Sequence, residues 1–362
     1  MNQIKMALLG CGDVAQRDYL PELHRLADQV ELVAVCGRSE QRTRAVADQY
    51  HIPTWHTDYA RMLAETDADA VINLTPIQLH TETTLAALQA GKHVYSEKPI
   101  ASSVADARRI ADERQRHDRV LVCAPCVMLF PQVRYSQQLL ADNALGTISA
   151  ARGYGHGGVP PWGGYMSDPS PFFASGGGPA FDMGVYPLHA LTGLLGPAQR
   201  VTAMTSRIQQ HFTVMDGPAT GRSVPLEVDD NWQIILDFGQ GRLATIAANN
   251  CVQDSRAPQL ELFGLQGTIA LNLLDVSAPV EVLRAGAGWE QITLPRTGRE
   301  SGPDHLLGVA HLVECIRGQR QPVLSIEHAL HVVDIIETAA RSAATGQTLA
   351  LETTFDTKEA GL

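Results

Sequence analysis

The opening stretch of this chain limits its possible folds more than any other. Ile4-Lys5-Met6-Ala7-Leu8-Leu9 reads as a short buried strand, and it runs directly into Gly10-Cys11-Gly12-Asp13-Val14-Ala15. Strand, Gly-x-Gly-x-x-Ala turn and helix start, in that order, form the first βα unit of a dinucleotide-binding domain. Gly10 and Gly12 allow a tight turn and close backbone approach to a pyrophosphate. Asp13 and Val14 open the following helix with their N–H groups aimed at the phosphates, and the small Ala15 lets that helix lie against the sheet. Glycine-rich turns are common. The apolar strand before this one and the helix start after it separate it from an ordinary strand-to-helix turn.

The same rhythm continues through the first third. Strand-like runs fall at 4–9, 31–36, 70–74, 93–95 and 119–123, with helix-like stretches between them at 40–50, 59–66, 80–90 and 104–116. Alternation of this kind implies a Rossmann-type, doubly wound parallel sheet whose ligand lies at the carboxyl ends of the strands. Past Pro125 the texture changes. A helix at 132–142 leads into a loop rich in Gly, Pro and aromatics at 153–179. Strands at 231–238, 242–249, 259–263 and 268–273 then follow one another without helices between them. This predicts a second α/β domain on a large, open, mainly antiparallel sheet, closed by helices at 305–317 and 326–344. The expected division is a nucleotide domain at 1–124 and a substrate-binding and oligomerisation domain at 125–362. A length of 362 residues fits two cores.

The formal net charge of −11 argues against a nucleic-acid or anionic-membrane surface, and no apolar run approaches membrane-spanning length. Lys5 meets the glycine turn at once, leaving no room for a secretory signal. Six cysteines in a chain of this size do not make a disulfide framework, so a reducing cytoplasm is expected. Cys123-Ala124-Pro125-Cys126 stands alone and reads as structural. The thirteen histidines are scattered and no His-Glu-x-x-His occurs, so no metal is expected.

Two further segments carry chemistry. Lys98 lies in Ser96-Glu97-Lys98-Pro99, and Gly176-Gly177-Gly178-Pro179-Ala180-Phe181-Asp182-Met183-Gly184-Val185-Tyr186 follows later in the chain. An ammonium beside a phenol can take the proton of a carbinol while a bound cofactor takes the hydride.

With these segments the chain resembles the Gfo/Idh/MocA oxidoreductases (glucose-fructose oxidoreductase, inositol dehydrogenase, rhizopine catabolism). The resemblance runs over nearly the whole length. It rests on Gly10-x-Gly12-x-x-Ala15, Asn73-Leu74-Thr75-Pro76 with His80, Ala90-Gly91-Lys92-His93-Val94-Tyr95-Ser96-Glu97-Lys98-Pro99, the Gly176–Tyr186 segment and Ser325-Ile326-Glu327-His328-Ala329-Leu330. It implies that Thr75, Pro76, His80, Glu97 and Lys98 lie on the nucleotide. It also puts Lys98 and Asp182 in the active site, and it implies assembly as a homodimer or homotetramer through the outer face of the C-terminal sheet. Many members carry a proton-transferring histidine four residues after the aspartate. Tyr186 at that position is similar to the branch of dimeric dihydrodiol dehydrogenase, glucose-fructose oxidoreductase and some xylose dehydrogenases.

Tyr186 is therefore expected as acid/base, Lys98 as its electrostatic partner and hydrogen-bond donor, and Asp182 as the orienting group. An ammonium that lowers the phenol by two units must supply about 2.7 kcal/mol, attainable for a partly buried pair. His189 is open between a substrate contact and a buried structural histidine. Trp162 and Tyr165 are open between stacking on a sugar face and packing. At the second strand's end, Arg38 and Ser39 stand where NAD enzymes place a carboxylate. With Arg42 one turn on they favour a 2′-phosphate, hence NADP over NAD, although Arg38 stacking on adenine and Glu40 just beyond are the counter-readings. The expected activity is dehydrogenation or reduction of a secondary hydroxyl or carbonyl of a sugar, polyol or related cyclic compound. The rivals are a redox-neutral, NAD-dependent glycoside-cleaving enzyme and a nucleotide-binding regulator on the same fold.

Overall fold

The structure, a computed structural model, describes residues 2–160 and 162–357. Six parallel strands make the first sheet: β1 (Ile4–Leu9), β2 (Val30–Cys36), β3 (Thr54–His56), β4 (Ala70–Asn73), β5 (His93–Ser96) and β6 (Leu121–Cys123). Helices α1 (Glu40–Gln49), α2 (Tyr59–Glu65), α3 (His80–Gln89) and α4 (Val104–His117) connect them. The central strands are buried on both faces, which is why they read as apolar runs without alternation. The sheet order is β3-β2-β1-β4-β5-β6, so the winding reverses between β1 and β4, and their carboxyl ends lie side by side with Leu9 opposite Asn73. The edge strand β3 is too short and too exposed to show in the pattern.

The helix expected after Ala15 is distorted. A π-helical turn at Ala15–Tyr19 runs into a 3-10 stretch at Leu20–Leu26, and Pro21 lies in the first turn of that stretch.

A second, nine-stranded sheet follows α5 (Pro131–Ala141). Its strands are β7 (Ile148–His156), β8 (Arg200–Ser206), β11 (Asn231–Asp237), β12 (Leu243–Asn249), β13 (Leu260–Gly264), β14 (Gly267–Leu271), β15 (Val280–Arg284), β16 (Gly288–Ile292) and β17 (Leu349–Ala350). All pair antiparallel except β7 with β12. A separate small hairpin consists of β9 (His211–Thr213) and β10 (Ser223–Pro225). Trp232, Ile234 and Leu236 of β11 point inward at period two, under α6 (Val185–Leu195) and α8 (Ile326–Thr345). The opposite face of the sheet is open, and Met204, Ile235 and Leu243 are exposed on it.

Residues 153–156, expected within the loop, instead complete β7. Their glycines are there for packing: a Cβ on Gly155 would lie 2.6 Å from the Gly184 amide nitrogen, because the strand crosses directly over the turn that precedes α6. After α7 (Leu306–Ile316) the chain returns to the first sheet. Cys123 N–H donates to the Leu324 carbonyl at 3.0 Å, and Ile326, Ala329 and Val333 of α8 share a core with Leu88, Ile110 and Leu121. Cys123 and Cys126 are free and buried, and burial raises both thiols. The Cys126 thiol donates to the Asp304 carbonyl. Among the described residues, no group of three or more His, Cys, Asp or Glu side chains could hold a metal, and no helix is long and apolar enough to cross a membrane.

Candidate active site where the two sheets meet

Lys98 leaves the carboxyl end of β5, and a buried brace fixes its backbone. Glu97 is 5% exposed. One of its oxygens accepts the Lys98 N–H at 3.0 Å, and the other accepts the Tyr19 hydroxyl at 2.5 Å. Tyr95 lies 3.0 Å from that hydroxyl oxygen. It must act as the donor there, because the Tyr19 proton is committed to Glu97. Tyr19 also stacks on His305. Burial holds both phenols well above their ordinary value and holds His305 below its own, so this brace is made of neutral rings around one carboxylate.

The partner groups come from the second half of the chain. A π-helical turn at Ala180–Gly184 flows into α6, and such turns recur at functional sites because the extra residue re-aims a side chain. Here the Lys98 ammonium donates to Asp182 twice, to Oδ1 at 2.6 Å and to the main-chain oxygen at 2.8 Å. The same nitrogen lies 5.3 Å from the centroid of the Tyr186 ring. Lys98, Asp182 and Tyr186 are therefore brought together as expected. The Tyr186 hydroxyl has no hydrogen-bond partner among the described residues, although the side chain is 6% exposed.

The electrostatics overturn one expectation. Lys98 does not lower the Tyr186 phenol. Burial first, then the Glu97 and Asp182 carboxylates, hold it well above its ordinary value. The ammonium lies over the ring face rather than at the oxygen, and Asp182 offsets its charge. Tyr186 is thus held as a neutral hydroxyl rather than a phenolate.

At the nucleotide end, Gly10 has φ +95°, and a Cβ there would lie 2.4 Å from the Leu74 carbonyl oxygen, so only glycine fits. Ala15 is buried against the sheet, whereas Gly12, Asp13 and Val14 are partly open. The Asp13 N–H points outward and already donates to a hydroxyl oxygen, that of Ser167 at 3.2 Å. A turn with an outward N–H and no room for a side chain fits a dinucleotide pyrophosphate. Thr75 and Pro76 lie partly exposed just beyond β4, with the Thr75 hydroxyl held by Asn73 at 2.8 Å.

His80 and Glu97 were expected on the nucleotide; in this structure both are buried and engaged with the protein. His80 is buried with its two ring nitrogens facing backbone carbonyls, Nδ1 2.6 Å from Pro99 and Nε2 2.7 Å from Thr75, and as a neutral ring it donates to one of the two. Glu97 is committed to Tyr19 and Lys98. These two residues hold the loops that hold the site. Ser39 is exposed, and its hydroxyl caps α1 by accepting the Arg42 N–H at 3.3 Å while keeping its own proton to donate. Arg38 is exposed at the tip of β2.

His189 does not open on the cleft. It is 4% exposed, its Nδ1 lies 2.8 Å from the Val185 carbonyl, and it packs 5.0 Å from His328 of α8, which stacks on Phe355. Burial lowers it to about 4, so it is a neutral core histidine. Trp162 packs between Phe172 and Phe173, which favours packing over sugar stacking, with its indole N–H buried and unpartnered among the described residues. Tyr165 lies at the cleft: burial, then Asp13 and Asp182, raise its phenol.

Sequence reasoning missed Tyr19, Tyr95, His305 and Ser167. Tyr19, four residues past Ala15, was the one with a signal, since an aromatic that close to the turn must face the site or the sheet.

The family description "Oxidoreductase family, NAD-binding Rossmann fold" of the Gfo/Idh/MocA group matches residues 4–124, and the C-terminal domain of that group matches residues 133–270. The dTDP-3,4-didehydro-2,6-dideoxy-alpha-D-glucose 3-reductase of Streptomyces violaceoruber is 31% identical over 62% of this chain and 66% of its own length. The D-glucoside 3-dehydrogenase of Escherichia coli is 30% identical over 53% of this chain and 54% of its own. A solved aldose-aldose oxidoreductase from Caulobacter crescentus has the same fold, with a TM-score of 0.79 at 24% identity over 97% of this chain and 100% of that one.

Proposed function

This chain belongs to the Gfo/Idh/MocA family of oxidoreductases, and from that we propose that it moves a hydride between a nicotinamide dinucleotide and a secondary hydroxyl or carbonyl of a sugar, polyol or related cyclic compound. One observation carries the reading: the Lys98–Asp182 pair joins the nucleotide-domain strand end to the turn that presents Tyr186. Two relatives whose names specify reaction at position 3 of a sugar support the substrate class.

The dinucleotide supplies or accepts the hydride, and Gly10, Gly12, Asp13, Val14, Thr75 and Pro76 would hold it. This chain's own side chains act on the oxygen. In the reductive direction that oxygen gains charge, and the Tyr186 hydroxyl and the Lys98 ammonium are two donors for it. The first gives up its proton and the second stabilises the charge. Asp182 keeps the ammonium in place. A phenol held neutral suits the donor role in the reductive direction.

We read Arg38, with Arg42 beside it, as a preference for NADP over NAD. We also read the open sheet face with Met204, Ile235 and Leu243 as a homodimer or homotetramer contact, and the six free thiols as those of a cytoplasmic protein. The test is reduced-cofactor absorbance with NAD and NADP across a carbohydrate panel, for wild type, Lys98→Met and Tyr186→Phe. Full activity in both variants refutes the site. Turnover of a glycoside without net reduced cofactor replaces the reading with the redox-neutral one.

A further inference from the structure

The loop between β7 and α6 doubles back over the nucleotide turn. Three hydrogen bonds hold its tip there. Asp13 N–H donates to Ser167 Oγ at 3.2 Å, the Arg42 guanidinium donates to the same oxygen at 3.4 Å, and Met166 N–H donates to Asp13 Oδ1 at 3.0 Å. A Cβ on Gly12 would lie 3.3 Å from Ser167 Oγ, so the serine rests directly on the glycine turn. Tyr165, two residues earlier, has its phenol raised first by burial and then by the nearby charges of Asp13 and Asp182. The tip therefore runs along the line from the proton-transfer groups to the phosphate turn.

An N–H at the glycine turn and a nearby guanidinium are donors of the kind that a dinucleotide's phosphate oxygens use, and here one hydroxyl oxygen occupies both. An anionic oxygen is the stronger acceptor for the same pair. Only the Arg42 contact is long, at 3.4 Å, and Met166 is 55% exposed, so the Ser167 hydroxyl is itself weakly held while Asp216 and Arg222 hold Gly164 and Asp168 on either side of the tip. The base of the loop is anchored differently. Trp162 stacks on Phe173, Tyr165 packs edge-on against Phe172, and Phe173 lies 4.1 Å from Phe212 of the β9–β10 hairpin. The segment thus has a fixed aromatic base and a weakly held serine at its tip.

We propose that Met166–Ser167 is a built-in competitor for the nucleotide: the Ser167 hydroxyl takes the donors meant for a phosphate, and dinucleotide binding lifts the tip and clears the cleft beside Asp182. This rests on the dinucleotide reading above. It makes cofactor loading the event that opens the substrate side, a regulation written into the site itself.

The test is calorimetric titration of the full chain with NADH and NADPH, for wild type and Ser167→Ala, with amide hydrogen exchange at Met166 and Asp13. Losing the competitor's bonds should tighten nucleotide binding about fivefold, or ~1 kcal/mol. In wild type, nucleotide should speed exchange at the Met166 amide, which loses Asp13, and slow it at the Asp13 amide. Unchanged affinity in Ser167→Ala overturns the competitor while leaving the nucleotide site intact. Weaker binding makes Ser167 a ligand of the nucleotide and overturns it too, as does added protection at Met166. No nucleotide binding by either protein overturns the functional reading and this inference together.

Discussion

Replacing Tyr186 with Phe removes one oxygen whose only structural neighbours are electrostatic. The hydroxyl has no hydrogen-bond partner among the described residues, and the ring is packed in the core, so the variant should fold with a melting temperature close to wild type. Lys98 remains as the second donor, held by Asp182 at 2.6 Å. Loss of one preorganised donor to a reacting oxygen is worth roughly 3–4 kcal/mol, so kcat should fall about 10²–10³-fold, with nucleotide affinity unchanged. Steady-state kinetics on the best substrate of the carbohydrate panel, with calorimetric nucleotide binding as control, measures this. The pH profile adds a separate check. Because burial, Glu97 and Asp182 hold the phenol above its ordinary range, no step between pH 7 and 9 should belong to Tyr186. A kcat within about threefold of wild type, or a step in that window that disappears in Tyr186→Phe, would refute the neutral-donor mechanism.

Three further outcomes are expected. Gly10→Ala places a Cβ 2.4 Å from the Leu74 oxygen at φ +95°, so stability should drop by ~2–4 kcal/mol and nucleotide binding should be lost, as read by thermal melts and calorimetry. Tyr19→Phe leaves buried Glu97 short of one partner. It should cost about 1–3 kcal/mol and lower kcat without changing substrate KM, and an unchanged kcat would show that the brace does not position Lys98. His189 and His331 are each lowered by burial to about 4, against an unfolded value near 6.5. The unfolded chain therefore binds the extra protons first. Stability is intact above pH 6.5 and falls toward pH 4 by roughly 1.4 kcal/mol per pH unit for each histidine, a slope that denaturant titrations should find reduced in His189→Leu.

Local order along the chain decided a good deal. An apolar strand meeting Gly10-Cys11-Gly12, and the alternation of buried runs with helical ones up to Cys123, specify a parallel doubly wound sheet, because period and turn chemistry are short-range properties written in neighbouring residues. The glycine at position 10 and the lysine after Glu97 were legible for the same reason. The glycines at 153 and 155 misled, since a strand lying hard against another element carries the same composition as a loop. What lay beyond the sequence was every distance between segments far apart in it. That Asp182 neutralises Lys98, that Glu97 and His80 are committed inward, that His189 faces α8, and that Ser167 lands on the turn 154 residues before it depend on how two sheets pack. A pKa and a hydrogen-bond partner are properties of that packing, not of residue type.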